Sequence, residues 1–452
     1  MGDRLFLFLL IASSLVSHLL WALAIPFAGF PHGAPDEIHH FEVTRFIANN
    51  GRIPIFGAGK DLYIRVRPGA EDNIYNRIYG WQSLFPPGAY ILAGQAIRSL
   101  QITDYRSQVF IARLISILYN LFTIYFAYRI ASIVFGADRF LTWGIPILLS
   151  NIPQVVFVGS YHNPDSLAMM ASTLCIYFGL RLLRSGWANW QDALLLGLAL
   201  GLVGLSKQNS WVVGTITVFL AWSFSIASGD TIRVLWRIPL VALPAVASIG
   251  PWLVFQHQNY GDVLAREVFA RAWTADRPFL VPYAQQGYGF LDFILKTNWA
   301  ELTFKSFWGL FGYMSVPLPS LVYLVIFVLC AVSAVGLAGG AVREAVRGKG
   351  TWPPFRAQAV LIFVIVAASL LTASVLHSFY NDYQPQGRYL FPAAVPLVAL
   401  WMMGWRNVLG GLAEKTPVLF FVWAAAYLFN LACLAFAVVP GMRIPVKEEW
   451  FY

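Results

Sequence analysis

The sequence predicts an all-α chain, a polytopic transmembrane helical bundle of about 11 spans with surface (juxtamembrane) helices in its first outer loop. Three observations carry that expectation. Of 452 residues, 58% are hydrophobic and only 12% charged, about half of the roughly 25% that a water-facing domain carries. Apolar runs recur from Leu5 to Val439, and the mean hydropathy is +0.63. The charged residues gather between those runs rather than within them. A large soluble enzyme and intrinsic disorder are both excluded, and the chain reads as one integral membrane domain over 1–452.

A bilayer core of roughly 30 Å calls for about 20 apolar residues in helical form. Segments near 5–29, 109–135, 140–159, 164–183, 190–206, 211–227, 238–256, 317–341, 357–377, 389–405 and 417–440 answer to it. Several are broken by Pro, Gly or a polar residue, which a bundle tolerates where neighbouring helices satisfy the freed backbone. The first run, with Arg4 before it and Ala22-Leu23-Ala24 near its end, has the outline of a signal peptide. It is longer than an h-region of about 7–15 residues, so a retained helix is expected.

The stretch from Phe85 to Ile97 has 13 residues and opens on Pro86-Pro87. That is too short for a span and suits a segment lying on the membrane surface. Charge placement agrees with this choice under the positive-inside rule. With the N-terminus inside, the inner ends and loops hold 13 basic and six acidic residues, against 18 and 16 outside. The outer face then carries two long loops, 30–108 and 257–316, and the chemistry is expected there, because long structured loops are usually functional.

The formal charge of +9 is scattered. No basic run makes a phosphate-tracking stripe, so no nucleic-acid partner is expected. Cys175, Cys330 and Cys433 fall in apolar segments without metal or redox spacing. Ser-His-Asp order, Walker loop, GxGxxG, HExxH and CxxC motifs are missing, which leaves no cradle for a soluble nucleotide donor.

The first outer loop opens on Pro35-Asp36-Glu37-Ile38-His39-His40-Phe41. Asp36 fits the N-cap of a surface helix and Glu37 its first turn, either as a plain capping pair or as carboxylates near the headgroups. There, desolvation would raise a pKa and suit it to take a proton from a hydroxyl. His162, Asn163 and Asp165 follow a helix end on the same side, and Asp165 also reads as a simple helix start. Lys207 and Arg388 stand at outer helix ends, where each would either snorkel or hold a phosphate. Lys305 precedes the aromatic string Ser306-Phe307-Trp308-Gly309, which also suits an interfacial belt. Tyr63, Arg65, Arg67 and Arg77 make the first loop basic, as a solvated face or as an attraction for an anionic lipid-linked group. No cofactor is certain. A divalent cation, Mg²⁺ or Mn²⁺, is an open option through Asp36, Glu37 and Asp165.

The order of these strings resembles the GT-C superfamily of membrane glycosyltransferases. The matching residues are Asp36-Glu37 with His40-Phe41, Phe85-Pro86-Pro87-Gly88-Ala89-Tyr90, Arg113-Leu114-Ile115-Ser116, Asn163-Pro164-Asp165 and Gly201 to Lys207. The acidic pair with its His-Phe is particularly similar to the protein O-mannosyltransferase branch. Ser306-Phe307-Trp308-Gly309 and Gln386-Gly387-Arg388-Tyr389-Leu390-Phe391-Pro392 resemble bacterial multi-spanning proteins of unassigned activity.

The resemblance implies inverting transfer from a polyprenyl-phosphate-linked sugar to a glycan, lipid or protein acceptor. It places the protein among the lipids of a bacterial cytoplasmic (inner) membrane, with its site on the outer, periplasmic face. Asp36 would be the base, with Glu37 supporting it. His39, His40, Arg77, His162, Asp165, Lys207 and Arg388 would bind substrate. A polymerase or ligase of lipid-linked oligosaccharides shares the donor handle, and a lipid or polysaccharide flippase is the competing class. A flippase usually needs ionisable groups at mid-membrane.

Overall fold

In a bilayer every backbone N–H and C=O must be satisfied within the chain, so long apolar runs fold as helices. The computed structural model describes residues 2–27, 33–63, 65–66, 77–78, 80–277, 279–346 and 352–442. In it the bundle helices begin with α1 (Asp3–Ala24), then, after two surface helices α2 (Glu37–Asn50) and α3 (Gly88–Ser99), α4 (Tyr105–Phe135). They continue with α5 (Arg139–Leu149), α6 (Pro153–Gly159), α7 (Pro164–Ser185), α8 (Trp190–Gly204), α9 (Gln208–Ala227) and α10 (Thr231–Tyr260). The second long loop holds α11 (Arg266–Asp276), α12 (Phe290–Lys296) and α13 (Trp299–Trp308). Then come α14 (Ser320–Val346), α15 (Pro354–Tyr380), α16 (Ala394–Leu409) and α17 (Thr416–Cys433), the last carried on by a π turn over Leu434–Val438. Two short antiparallel hairpins, β1 (Arg65–Val66) with β2 (Arg77–Ile78) and β3 (Leu310–Phe311) with β4 (Val316–Pro317), lie in the two outer loops.

The expected count of about 11 spans is not what the helix lengths give. Among the described residues eight helices are long and apolar enough to cross a membrane, and nine if α5 and α6, bent by 54°, count as one broken span. The described parts of the eleven apolar segments are largely helical, but α8 and α16 have 15 and 16 residues. At 1.5 Å per residue they reach only about 22–24 Å, short of the roughly 30 Å core. The α5–α6 break has a local cause. Pro153 disfavours helical geometry at Ile152, which sits at ψ 116°.

Local chemistry sets the helix starts. Asp104, Asp138 and Asn163 each accept backbone N–H bonds at the N-caps of α4, α5 and α7, satisfying donors that have no partner within the helix. Small residues let helices touch in the absence of a hydrophobic drive between them. A Cβ on Gly197 of α8 would lie 2.4 Å from the Val241 carbonyl of α10, and one on Gly404 of α16 would lie 2.1 Å from the Ser333 carbonyl of α14.

The surface placement of the Phe85 segment holds. α3 has 12 residues, about 18 Å of helix, and packs on α2, where a Cβ on Gly94 would meet Ile47 at 2.8 Å. Ion pairs then sort by end of the bundle. Asp3 with Arg139, Arg181 with Asp192, and Arg406 with both Asp138 and Glu414 join residues all assigned to the inner side. Those assigned outside pair among themselves, Arg277 with Asp382 and Lys207 with Asp165. At one end of the bundle the two long loops meet in an aromatic cluster of Trp81, Phe85, Phe269 and Trp273. The Phe56 N–H also donates to the Tyr260 hydroxyl at 2.8 Å.

Candidate functional site

Asp36 occupies the N-cap position of α2 but does no capping with its side chain. Its backbone is left-handed, φ 61°, a conformation Asp tolerates better than most residues. Its own N–H donates to the Tyr313 hydroxyl at 2.9 Å, and its carbonyl accepts the N–H groups of His39 and His40. The carboxylate is thereby turned outward, 40% exposed, with Oδ2 3.3 Å from Nη2 of Arg388. Burial pushes this carboxyl up, but the Arg388 charge and the neighbouring imidazoles outweigh it and hold it below the ordinary value. The expected upward shift is corrected. The geometry keeps Asp36 ionised.

Glu37 does not share that site. It is fully buried and accepts from Nε and Nη2 of Arg113 at 2.8 and 2.5 Å and from the His162 N–H at 2.8 Å. Arg113 also donates through Nη1 to the Ala22 and Ile25 carbonyls at the end of α1. The supporting catalytic part expected of Glu37 gives way to a structural one, pinning the start of α2 to α1, α4 and the α6–α7 turn.

The other candidates divide. Asp165, buried in the first turn of α7, accepts from Lys207 Nζ at 2.7 Å and has Oδ2 4.0 Å from Arg388 Nη1. The cap of α7 is Asn163, not Asp165. Lys207 turns inward instead of snorkelling, with Nζ 4.5 Å over the Tyr389 ring. Burial pulls its pKa down and Asp165 opposes that. Arg388 likewise points into the site, donating to Gln386 Oε1 at 2.6 Å and the Tyr161 hydroxyl at 3.3 Å.

The histidines are structural in character. His40 bonds through Nδ1 to the Tyr90 hydroxyl at 2.8 Å, and His162 through Nε2 to Thr44 at 2.7 Å. Burial drives His40 well below its usual value and His162 down to about 3, so neither offers a charge to a phosphate at neutral pH. His39 is buried beside them. Lys305 pairs with Glu301 on the outer surface, away from this cluster. Arg77 stands in β2, where only the backbone is described, and Arg67 lies outside the described residues.

The sequence strings meet in pairs to build this arrangement. The Gly387 N–H donates to Ser306 Oγ at 2.7 Å, and a Cβ on Gly387 would fall 2.3 Å from the Phe307 nitrogen. The Ser306 and Gly387 strings therefore fit only with glycine there, and the turn that follows aims Arg388. In the same way the Gly88 N–H donates to the Leu205 carbonyl at 2.9 Å, joining the Pro86-Pro87 string to the segment before Lys207. Sequence reasoning did not single out Tyr161, Tyr313 and Tyr389 as site residues. Tyrosines are too common along this chain to signal themselves. Arg113, an arginine set within the apolar run of α4, was a usable signal for a buried acidic partner.

The result is a row of alternating charge, Asp36, Arg388, Asp165 and Lys207, walled by Tyr161 and Tyr389. Among the described residues no group of three or more His, Cys, Asp or Glu gathers to hold a metal ion. The Arg388 contacts with Asp36 and Asp165, at 3.3 and 4.0 Å, are long beside the roughly 2.7–2.9 Å of a tight charge-assisted bond. Its firmest contact is the 2.6 Å bond from Nε to Gln386, so the two Nη groups are the ones held only at long range by the carboxylates.

Residues 18–397 match the model of a family described as predicted membrane protein (DUF2142). The chain belongs to this family. No curated protein matches the sequence. Among solved structures, this DUF2142 chain is similar to ArnT from Cupriavidus metallidurans bound to undecaprenyl phosphate. The TM-score is 0.55 at 15% identity, over 98% of this chain and 74% of that one. It is also similar to the oligosaccharyltransferase AglB of Archaeoglobus fulgidus in complex with an inhibitory peptide and a dolichol-phosphate. There the TM-score is 0.50 at 13% identity, over 97% of this chain and 56% of that one, so the chain spans about half of the oligosaccharyltransferase. At these identities the likeness establishes the fold. The DUF2142 chain has a GT-C-like membrane architecture.

Proposed function

We propose that the chain is a glycosyltransferase that moves a sugar from a polyprenyl-phosphate-linked donor to an acceptor hydroxyl, at the outer face of a bacterial inner membrane and with inversion. The observation that carries this reading is the row of Asp36, Arg388, Asp165 and Lys207, with Asp36 partly exposed beside Arg388. The polyprenyl phosphates in the ArnT and AglB structures point to the same donor class.

In the proposed step the acceptor oxygen attacks the anomeric carbon, the bond from that carbon to the phosphate oxygen breaks, and polyprenyl phosphate leaves. The acceptor proton passes to Asp36. Arg388, with Lys207 behind it, takes up the negative charge that grows on the departing phosphate, where electrostatic stabilisation contributes most. Tyr389, under Lys207, and Tyr161, against Arg388, keep the two cations from turning to water.

The test is mass spectrometry of cell-envelope glycans and lipid-linked sugars from cells with and without the intact chain. A glycan that loses one sugar, with its lipid-linked form accumulating, is the expected result. Unchanged glycan and lipid-linked pools would refute the proposal.

A further inference from the structure

The second outer loop exposes apolar side chains that none of the described residues covers. Phe279 is 94% exposed, and Leu291 and Leu295, one turn apart on α12, are 71% and 79% exposed. In water such a patch is a liability, and monomeric proteins seldom keep one. Its position supplies the cover. α12 is seated by Phe293, which is fully buried, and by Phe290, their rings 5.4 and 5.5 Å from that of Phe379. Phe379 is in the last turn of α15, a 27-residue candidate span. At about 40 Å of helix α15 exceeds the roughly 30 Å hydrocarbon core, so its outer end reaches headgroup level and α12 lies there with it. The lipid-facing surface of α15, exposed at Leu371, Leu376 and Tyr380, approaches the patch through Phe379. The polar side of α12 carries its own ion pair, Lys296 with Asp292 at 2.7 Å, as an interfacial segment does.

We infer that the loop from Phe279 to Leu295 is a lip inserted into the outer leaflet of the bilayer, with phospholipid acyl chains as the partner of Phe279, Leu291 and Leu295. The lip is tied to the charged row by a continuous polar chain. Arg277, at its base, pairs with Asp382 at 3.3 Å. Asp382 accepts from Gln384, whose Oε1 accepts from the Tyr389 hydroxyl at 3.2 Å, and Tyr389 lies under Lys207. Insertion of the lip therefore fixes the depth of the row against the headgroups. The inference stands whether or not the proposed transfer does.

The test uses the full chain, reconstituted in vesicles of phosphatidylethanolamine and phosphatidylglycerol, with an environment-sensitive fluorophore on a single introduced cysteine. Leu291→Cys and Leu295→Cys are compared with Arg271→Cys on α11, which is 74% exposed. Cys330, the one cysteine that is not buried, is first replaced by serine. Lipids carrying a nitroxide near the carbonyl should quench the two α12 labels at least threefold more than the α11 label, while aqueous iodide does the reverse. Equal lipid quenching at all three positions, or iodide reaching α12 as freely as α11, would overturn the inference.

Discussion

Replacing Arg113 with methionine tests how the site is held. The substitution removes four hydrogen bonds around the start of α2 at once. Glu37, fully buried, loses both guanidinium donors and keeps the His162 N–H, while the Ala22 and Ile25 carbonyls lose Nη1. Breaking a buried pair by removing one partner costs about 3–5 kcal/mol, because the remaining charge has neither water nor counter-ion. Methionine fills much of the arginine volume, so most of that cost is electrostatic rather than a cavity. Adding Glu37→Gln removes the stranded charge. The double variant should therefore recover part of the loss, with a coupling of about 0.5–3 kcal/mol as expected for residues in contact. The assay is unfolding of the purified protein in mild detergent by SDS titration, for the parent, both single variants and the double. If Arg113→Met were as stable as the parent, or if the two changes simply added, the buried pair would not be what anchors α2.

Further outcomes follow from the same geometry. Arg388 holds the Asp36 carboxyl below its ordinary value of 3.8, so the acidic limb of activity lies below that value. Arg388→Gln leaves burial unopposed by that charge and should move the limb to higher pH in a pH–rate profile. The same sign governs stability. The Asp36 contribution is complete above the unfolded value and is lost as pH falls through the depressed folded one, which acid titration of the unfolding midpoint checks. Gly387→Ala drives a Cβ to 2.3 Å from the Phe307 nitrogen. It should cost about 1–3 kcal/mol of overpacking, read by the same SDS titration, and weaken undecaprenyl phosphate binding by displacing Arg388. Lys207→Met leaves Asp165 buried without its 2.7 Å partner. It should weaken undecaprenyl phosphate binding more than Lys207→Met combined with Asp165→Asn does, as measured by native mass spectrometry.

Much of the fold was legible because a membrane span advertises itself. The described parts of the eleven apolar segments are largely helical, and the 13-residue run from Phe85 to Ile97 holds a helix of 12 residues that is not among the candidate spans. Span number was less legible because hydropathy does not report helix length. α8 and α16 lie in apolar segments and are still too short, at 15 and 16 residues. In the candidate site, Asp36, Lys207 and Arg388 stood out in the sequence by their places at helix ends, and the fold brings them into one row. The pairing of Asp36 with Glu37 was misread for a geometric reason. Asp36 sits at the N-cap with a left-handed backbone, ahead of the helix that begins at Glu37, so the two side chains do not share one helical face. Lys207 was read as a snorkelling candidate because its partner, Asp165, lies 42 residues away in sequence, and only packing brings them together.

The central claim is tested most directly by transfer from a radiolabelled polyprenyl-phosphate-linked sugar, extracted from cells that make the protein and supplied to the purified chain in vesicles, with Asp36→Asn beside the parent. Asp36→Asn should still bind undecaprenyl phosphate while losing a general-base contribution of about 10²–10⁴ in rate. Transfer at the parental rate by Asp36→Asn would contradict the account.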